Sequence, residues 1–176
     1  MMDTRFELID RCTTFNELLH DMELLLNKEH LFYGHGTGNA MDESMAILMY
    51  LSESNDVLDE EQLKTSISDQ VQEKAKEVLY QRVTESKPLP YITNQAYFCG
   101  KKFYVDERVL IPRSPIAELI NNRFEPWLNP NSINRVLEIG TGSGCIALSI
   151  AEAFSCLLYT SPSPRDLSTS RMPSSA

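Results

Sequence analysis

Apolar residues recur at helical spacing near the start of the chain, and charged residues fill the positions between them. The first apolar stripe consists of Leu8, Cys12, Phe15, Leu19, Met22 and Leu26. Intervals of three and four residues place such a set on one face of an α-helix. The pattern therefore predicts a long amphipathic helix over residues 4–30, with its stripe facing a protein core.

Two further helices are predicted before position 87. The first follows Asp42, whose carboxylate is a candidate N-cap for the segment MDESMAILMYLSES. The second begins near Ser66, which has Asp69 at capping-box spacing, and it ends before Pro88. Its predicted buried side contains Ile67, Val71, Ala75, Val78 and Val83. Residues 1–87 are thus predicted to form a small helical domain, which is typical of a scaffold or a docking surface.

The periodicity changes after the helical domain. In the segment QAYFCGKKFYVDERVLI, apolar and polar residues alternate on both sides of Gly100–Lys102, as in a β-hairpin with a short loop. Pro112 and Pro115 end the second strand, and Pro115 suits the first turn of a helix that extends to about Phe124. Residues 88–115 are therefore predicted to be a β-hairpin linker.

The segment NRVLEIGTGSGCIALSIAEAF carries the clearest candidate chemistry. An apolar run at 136–139 predicts a buried parallel strand, and Gly140, Gly142 and Gly144 follow it at once, before a helix from about Cys145. Strand, glycine-rich turn and helix form the first unit of a doubly wound α/β fold. Glycines let the backbone approach a ligand closely, and the helix N-terminus offers unpaired N–H groups to a polar or anionic ligand.

The spacing of these glycines separates two kinds of cofactor. A dinucleotide site has the pattern G-x-G-x-x-G, which requires glycine where this chain has Cys145. The observed G-x-G-x-G resembles the first motif of S-adenosylmethionine-dependent methyltransferases, whose loop contacts the amino-acid part of the cofactor. A glycine-rich turn that binds no cofactor is the alternative.

Together, the segments PYITNQAYFCGKKFYVDERVLIPRSPIAELI and VLEIGTGSGCIAL resemble the protein-glutamine methyltransferases, and the resemblance covers residues 1 to about 154. It implies S-adenosylmethionine as the cofactor and a fold of three parts. These are an α-helical N-terminal domain for substrate recognition, a β-hairpin linker, and a truncated Rossmann-like α/β methyltransferase domain whose first strand, loop and helix lie in residues 116–155. The cofactor-binding residues that the resemblance implies are Gly140, Thr141, Gly142, Ser143 and Gly144.

Pro112 and Arg113 match the IPR segment that lies near the active site in this family, so they are candidate active-site residues. Arg113 as a structural ion-pair partner is the alternative. The family's catalytic motif, Asn-Pro-Pro-Tyr, holds the glutamine amide in position for transfer. The chain contains no such motif, and NPNS at Asn129 is a linker turn. We therefore expect no catalytic residue, no methyl transfer, and weak or no cofactor binding by this chain alone.

Three segments favour one branch of the family. FYGHGTGNAMDES, AYFCGKKFYVDERV and IPRSPIAELI are similar to the branch that methylates protein uL3 of the large ribosomal subunit, whereas the release-factor branch typically has a segment resembling IPRPDTE. The resemblance implies methylation of a glutamine side-chain amide in a basic ribosomal protein. Two alternatives stay open: a peptide release factor as the substrate, and a non-catalytic helical module that binds a basic protein through an acidic face.

Composition and charge argue against several other classes of function. The formal net charge of −9 makes the chain a poor direct binder of the nucleic-acid backbone. No run of about 18 apolar residues exists, so we expect no membrane span. The start has no basic-then-apolar signal pattern, so we expect a cytoplasmic protein. The 4 cysteines and 3 histidines lack metal-ligand spacing, which predicts free thiols and no metal site.

The last residues have a different composition. Ser, Thr and Pro dominate the tail SCLLYTSPSPRDLSTSRMPSSA, and residues 156–176 can be back-translated into a transposase sequencing adaptor around a short sample index. We therefore interpret this tail as adaptor-derived and disordered, and the methyltransferase domain as truncated. A genuine disordered Ser/Pro tail is the alternative. Without neighbouring strands, we expect Ile139, Ile146 and Ile150 to be exposed.

Overall fold

The computed structural model of the chain describes residues 4–34, 36–54, 56–154 and 158–160. The chain divides into two compact units, one up to Asn94 and one from Gln95 onward. The first unit is helical. The second unit contains a β-hairpin, α-helices and a pair of parallel strands.

The first unit extends past the predicted domain boundary at residue 87. It opens with two 3-10 helices, Thr4–Phe6 and Ile9–Arg11. Its α-helices are α1 (Phe15–Lys28), α2 (Ala40–Leu51), α3 (Glu60–Leu63), α4 (Asp69–Val83) and α5 (Leu89–Thr93). Leu89 is buried in the core of this unit. The segment before the hairpin therefore belongs to the helical unit and not to the linker.

The predicted helix over residues 4–30 is wrong at its start. The helix α1 begins at Phe15 because Thr14 and Glu17 form a capping box. The backbone N–H of Glu17 donates to Thr14 Oγ1 at 3.3 Å, and the backbone N–H of Thr14 donates to Glu17 Oε2 at 3.3 Å. The apolar stripe nevertheless faces the core as predicted, through Cys12, Leu19, Met22 and Leu26.

The caps of α2 and α4 also differ from the predicted residues. Asn39, not Asp42, caps α2, since the backbone N–H of Asp42 donates to Asn39 Oδ1 at 2.9 Å. Ser68, not Ser66, caps α4 by accepting a hydrogen bond from the backbone N–H of Val71 at 3.4 Å. In both helices the residue directly before the first helical position takes the cap, because its extended backbone aims its side chain at the free amides of the first turn.

Helices α1, α2 and α4 contribute most of the core of the first unit. The largest fully buried aliphatic side chains of this unit include Ile9, Leu18, Met22, Leu26, Ile47, Leu48 and Leu79. Burial of such side chains is the main favourable contribution to folding. The segments before α1 and α4 are also joined, because the backbone N–H of Ile67 donates to the Thr13 carbonyl at 2.9 Å.

An ion pair between Glu43 and Arg82 lies inside this core, with side chains 3% and 6% exposed. Arg82 Nε donates to Glu43 Oε1, and Arg82 Nη2 donates to the carbonyl oxygen of Phe32 at 2.9 Å. Thr37 Oγ1 donates to Glu43 Oε2 at 3.0 Å. The pair therefore links α2, α4 and the loop between α1 and α2, and both buried charges have hydrogen-bonding partners, as burial requires.

The second unit begins with a hairpin of β1 (Gln95–Phe98) and β2 (Lys101–Tyr104), which pair antiparallel. Cys99 and Gly100, with φ of 49° and 73°, form a two-residue turn. Positive φ at both turn positions is typical of a type I′ turn, whose twist matches that of the flanking strands. The predicted hairpin is present, and its turn lies slightly earlier than the expected Gly100–Lys102.

The rest of the second unit alternates helix and strand. Its elements are α6 (Ile116–Asn121), a 3-10 helix (Pro130–Ser132), β3 (Arg135–Leu137), α7 (Cys145–Ala153) and β4 (Leu158–Thr160). Strands β3 and β4 pair in parallel, with Val136 opposite Tyr159. The order β3–α7–β4 is that of a βαβ unit.

The strand β4 is a departure from the predicted disorder of residues 156–176. A short β-prone run, Leu-Tyr-Thr, here pairs with the backbone groups along one edge of β3. The expectation that β3 has no neighbouring strand is therefore wrong for this edge. Residues 155–157 and 161–176, including the rest of the tail, lie outside the described residues.

The burial predicted for the strand before the glycines is wrong for Leu137 and Ile139, whereas Val136 is half-buried against the small core of the second unit. Leu137 and Ile139 are 64% and 83% exposed, because no second layer covers this face of β3 within the described residues. Exposure of Ile139 was expected once neighbouring strands were absent, but Ile150 is buried. The small core that covers Ile150 contains Phe98, Phe103, Ile120, Cys145 and Phe154.

Candidate functional site

The loop between β3 and α7 contains the predicted cofactor-binding residues, Gly140 to Gly144. Gly140, Gly142 and Gly144 have φ values of 80°, 57° and 80°. These are left-handed conformations that residues with a Cβ rarely adopt, so each of the three positions requires glycine for backbone reasons. Thr141 and Ser143 occupy the positions between them. The loop is thus a tight alternating turn that carries the chain from the end of a strand to the start of a helix.

The N-terminus of α7 faces this loop. Gly144 is the N-cap residue of α7, and no side chain caps the helix there. The backbone N–H of Gly144 donates to the Thr141 carbonyl at 2.9 Å, which closes the loop. The first amides of an α-helix have no partner within the helix, and the helix dipole makes this end attractive to anionic groups. The geometry therefore offers backbone donors to a carboxylate or another polar ligand group.

Open space adjoins the loop. Gly140 and Gly142 are exposed, and a Cβ added at Gly140 or Gly144 would meet no atom within 4 Å. The glycines are therefore not required by crowding from the protein itself. A ligand can approach the backbone at these positions, which fits the cradle that the amino-acid part of S-adenosylmethionine needs.

Helix α7 is held to the rest of the second unit by packing and by charge. Cys145 and Ile150 pack in the small core, and Phe154 stacks at 6.1 Å on the ring of Phe124. Lys101 of the hairpin forms an ion pair with Glu152 of α7. These contacts position the helix N-terminus, and with it the glycine loop.

The segment Pro112–Arg113 lies between β2 and α6, outside helix and strand. Pro112 is half-buried and Arg113 is exposed. Among the ion pairs of the described residues none includes Arg113, so the structural alternative for this side chain finds no support there. An exposed guanidinium that has no ion-pair partner among the described residues is available to a ligand.

A second candidate surface lies on the helical unit. A cavity of about 760 Å³ opens beside α4, and Phe6 and Tyr80 line it with ring centroids 6.4 Å apart in an edge-to-face arrangement. Most of its remaining lining side chains are carboxylates. Sequence patterns did not indicate this cavity, because Phe6 and Tyr80 are far apart along the chain. The one available signal was an aromatic residue among charged positions on the outer side of α4.

The thiols of the described residues are free at Cys12, Cys99 and Cys145. Burial, followed by a hydrogen bond to Asp21 and the charges of Asp21 and Glu17, raises the pKa of the Cys12 thiol to about 12. Cys12 Sγ lies 3.4 Å from Asp21 Oδ2. A neutral buried thiol of this kind is a poor nucleophile, so Cys12 is a packing residue.

No group of three or more His, Cys, Asp or Glu side chains within the described ranges is arranged to hold a metal ion. None of the helices formed by the described residues is both long and apolar enough to cross a membrane.

Comparison with curated proteins finds two similar methyltransferases. The chain is 36% identical over 130 residues to a ribosomal protein uL3 glutamine methyltransferase of Francisella tularensis. The matched residues are 73% of this chain and 41% of that protein. It is 36% identical over 143 residues to a ribosomal protein uL3 glutamine methyltransferase of Bordetella pertussis. Here the matched residues are 80% of this chain and 48% of that protein. No family model matches the chain.

These similarities confirm the resemblance found in the sequence: the chain belongs to the protein-glutamine methyltransferases. Both relatives carry the name of the uL3 branch. The chain spans about half the length of the curated relatives it matches, 41% of one and 48% of the other.

Proposed function

We propose that this chain supplies the helical unit, the hairpin and the cofactor loop of an S-adenosylmethionine-dependent methyltransferase that modifies a glutamine side-chain amide of ribosomal protein uL3. The observation that carries the proposal is the loop of three left-handed glycines at the uncapped N-terminus of α7. A strand, a loop of this kind and a helix begin a Rossmann-like domain, and a purely structural turn has no need of three such glycines.

The residues of the loop bind and orient the cofactor in this proposal. The backbone N–H groups at the start of α7 donate hydrogen bonds to its carboxylate, and Gly140, Gly142 and Gly144 let it approach the main chain. Thr141 and Ser143 lie between them with side chains that carry hydroxyl groups. When bound, the cofactor supplies an electrophilic methyl group on sulfur. The chain's own contribution is binding and positioning, which lowers the entropic part of the barrier to transfer.

The acceptor side of the reaction needs more than this chain provides. Arg113, exposed and beside Pro112, is the candidate contact near the acceptor. The sequence contains no Asn-Pro-Pro-Tyr to hold a glutamine amide. We therefore propose that residues 1–176 alone do not transfer methyl groups, and that the helical unit recognises the acceptor protein.

A chimeric enzyme tests the proposed activity. Residues 1–154 of this chain are joined to the part of the Francisella tularensis relative that lies beyond the matched region, and transfer of labelled methyl groups is measured. We expect methylation of a glutamine in uL3 and little in a peptide release factor. Preferred methylation of the release factor would move the chain to the other branch, and a folded chimera that methylates neither would contradict the proposed activity.

Matched glycine variants separate cofactor binding from folding in the same assay. Gly142→Asn keeps a residue that tolerates the left-handed conformation but places a side chain in the loop, where a Cβ lies 4.0 Å from the Gly140 carbonyl oxygen. Gly100→Asn makes the same change at the hairpin turn, with φ of 73°. We expect Gly142→Asn to abolish transfer and Gly100→Asn to retain it.

A non-catalytic helical module is the competing function, since the first unit has a core of its own. It predicts that Gly142→Asn has no effect on any measurable function of the chain. Loss of transfer in that variant of the chimera, with transfer retained in Gly100→Asn, therefore decides in favour of the enzyme.

A further inference from the structure

The cavity beside α4 has an acidic rim whose carboxylates are largely unpaired. Glu7, Asp69 and Glu77 line it, and none of them takes part in an ion pair of the described residues. Glu7 lies between the two 3-10 helices, while Asp69 and Glu77 lie on α4. Three exposed carboxylates around one opening create a local negative potential that attracts cations.

The two ammonium groups in the lining do not neutralise this rim. Lys76 Nζ donates to Asp10 Oδ1 at 2.7 Å and to Glu73 Oε1 at 2.6 Å, and these bonds raise the pKa of Lys76. Its positive charge is therefore paired with the carboxylates of Asp10 and Glu73. Lys74 Nζ lies 4.5 Å from the centre of the Tyr50 ring, which holds its charge by a cation–π contact.

An aromatic surface lies within the same cavity. Phe6 is 6% exposed and packs edge to face on Tyr80, which is 45% exposed. An open tyrosine ring beside unpaired carboxylates accepts a guanidinium or ammonium group on its face and an aliphatic stem against its edge. The cavity thus combines an apolar contact with a charge of one sign, which is the combination found at sites for basic peptides.

We propose that this cavity is the docking groove for a basic segment of the methyl-accepting protein, with Tyr80 as the anchor and Glu7, Asp69 and Glu77 as partners for its Lys or Arg side chains. The inference rests on the proposed function for the identity of the partner. Charge complementarity supports it: a chain with a formal net charge of −9 presents unpaired carboxylates where a groove is open, and the acceptor that the family resemblance implies is a basic protein. Docking here would hold the acceptor on the helical unit and leave the glycine loop free for the cofactor.

Binding of fluorescently labelled uL3 to the 176-residue chain tests the groove. Dissociation constants are measured by anisotropy for the wild type, for Tyr80→Ala and for the double variant Glu7→Gln/Glu77→Gln, after circular dichroism has established that each is folded. We expect the double variant to bind about threefold to tenfold more weakly, as for two partly exposed ion pairs. Tyr80→Ala should bind about twofold to fivefold more weakly, as for one exposed cation–π contact.

The matched control is Glu60→Gln/Glu61→Gln, which removes two exposed carboxylates of α3 and changes the net charge equally. We expect it to bind uL3 within about twofold of the wild type, since screening limits attraction by distant charges. Equal weakening by the control and the groove variant would overturn the proposal in favour of non-specific attraction. So would the absence of uL3 binding by the folded wild type, or self-association of the chain that the groove variant abolishes.

The groove and the cofactor loop can fail separately. Binding of S-adenosylmethionine is measured on the same variants, and we expect the groove variants to leave it unchanged. Groove-dependent binding of uL3, together with no methyl transfer by the folded chimera, would contradict the proposed enzyme and keep the groove. Cofactor binding with groove-independent uL3 binding would keep the enzyme and overturn the groove.

Discussion

The two units of this chain bury their apolar residues to very different extents. The first unit encloses Ile9, Leu18, Met22, Leu26 and Ile47 completely, and it holds a hydrogen-bonded ion pair in the same core. The second unit leaves large apolar side chains open on strand, loop and helix. Its most exposed ones include Leu110, Trp127, Leu137, Ile139 and Leu148.

Stability and candidate chemistry therefore lie in separate parts of the molecule. The helical unit gains most from burial and so determines how firmly the chain folds. The glycine loop sits in the unit with the smaller core, where the backbone is exposed and the helix N-terminus is uncapped. Exposed amides and left-handed glycines contribute little to stability, but they are what a polar ligand requires.

The largest expected effect comes from breaking the buried ion pair of the first unit. Glu43→Ala leaves the Arg82 guanidinium without its carboxylate, and loss of one partner of a buried pair costs about 3–5 kcal/mol of unfolding free energy. Urea denaturation followed by circular dichroism measures it. The control is Glu29→Ala, which removes one partner of the ion pair with Arg5. This pair is more exposed than that of Glu43 and Arg82, so the loss should be less than about 1 kcal/mol. Equal losses would show that burial of the first pair does not matter.

Truncation of a large aliphatic residue to alanine should change the free energy of unfolding very differently in the two units. Leu26→Ala creates a cavity in a closed core and should destabilise the first unit by about 2–5 kcal/mol. Ile139→Ala, at a side chain 83% exposed, should change stability by less than about 0.5 kcal/mol. Thermal unfolding of both variants provides the comparison. A large loss for Ile139→Ala would mean that the second unit buries this side chain in solution.

A smaller effect is expected at the start of α1. Thr14→Ala removes the side-chain acceptor of the capping box and should destabilise the first unit by about 0.5–2 kcal/mol. Thr14→Ser keeps the hydroxyl and should restore most of the loss. If both variants unfold at the same denaturant concentration, the cap is not what sets the start of the helix.

The last expected effect is absent at neutral pH and consists of a pH dependence at Cys12. Its folded pKa of about 12 lies above the usual value of 9.0, so the unfolded chain loses this proton first as the pH rises. The stabilising contribution is complete below pH 9 and is lost progressively above it, as linkage requires. The difference in unfolding free energy between the wild type and Cys12→Ala should therefore narrow between pH 9 and pH 11. A difference that stays constant over this range would contradict the raised pKa.

Periodicity predicted α1, α2 and α4 but not their ends, and it did not predict the short helices α3 and α5. The stripe from Cys12 to Leu26 is buried as expected, because a spacing of three and four residues defines a face without knowledge of the partner. The caps were missed at Asn39 and Ser68, because several polar residues precede each helix and only the backbone conformation decides which of them caps it.

The sequence patterns could not predict contacts between residues that lie far apart along the chain. The contact between Glu43 and Arg82 and the meeting of Phe6 with Tyr80 depend on how the helices pack, which local spacing does not specify. The glycine loop could be predicted in full, since its positive φ values are a local requirement that only glycine meets readily. The burial of the strand before it could not, since burial depends on what packs against the strand.

Titration of S-adenosylmethionine into the 15N-labelled chain, followed by amide chemical shifts, tests whether the glycine loop binds the cofactor. We predict weak but saturable shifts that are concentrated at the glycine loop and the first turn of α7, and that disappear in Gly142→Asn but persist in Gly100→Asn. Weak affinity is expected because one loop supplies only part of the contacts of a complete site. Shifts that fall on other amides of the folded chain, or that are equal in Gly142→Asn, would contradict the assignment of this loop as a cofactor site.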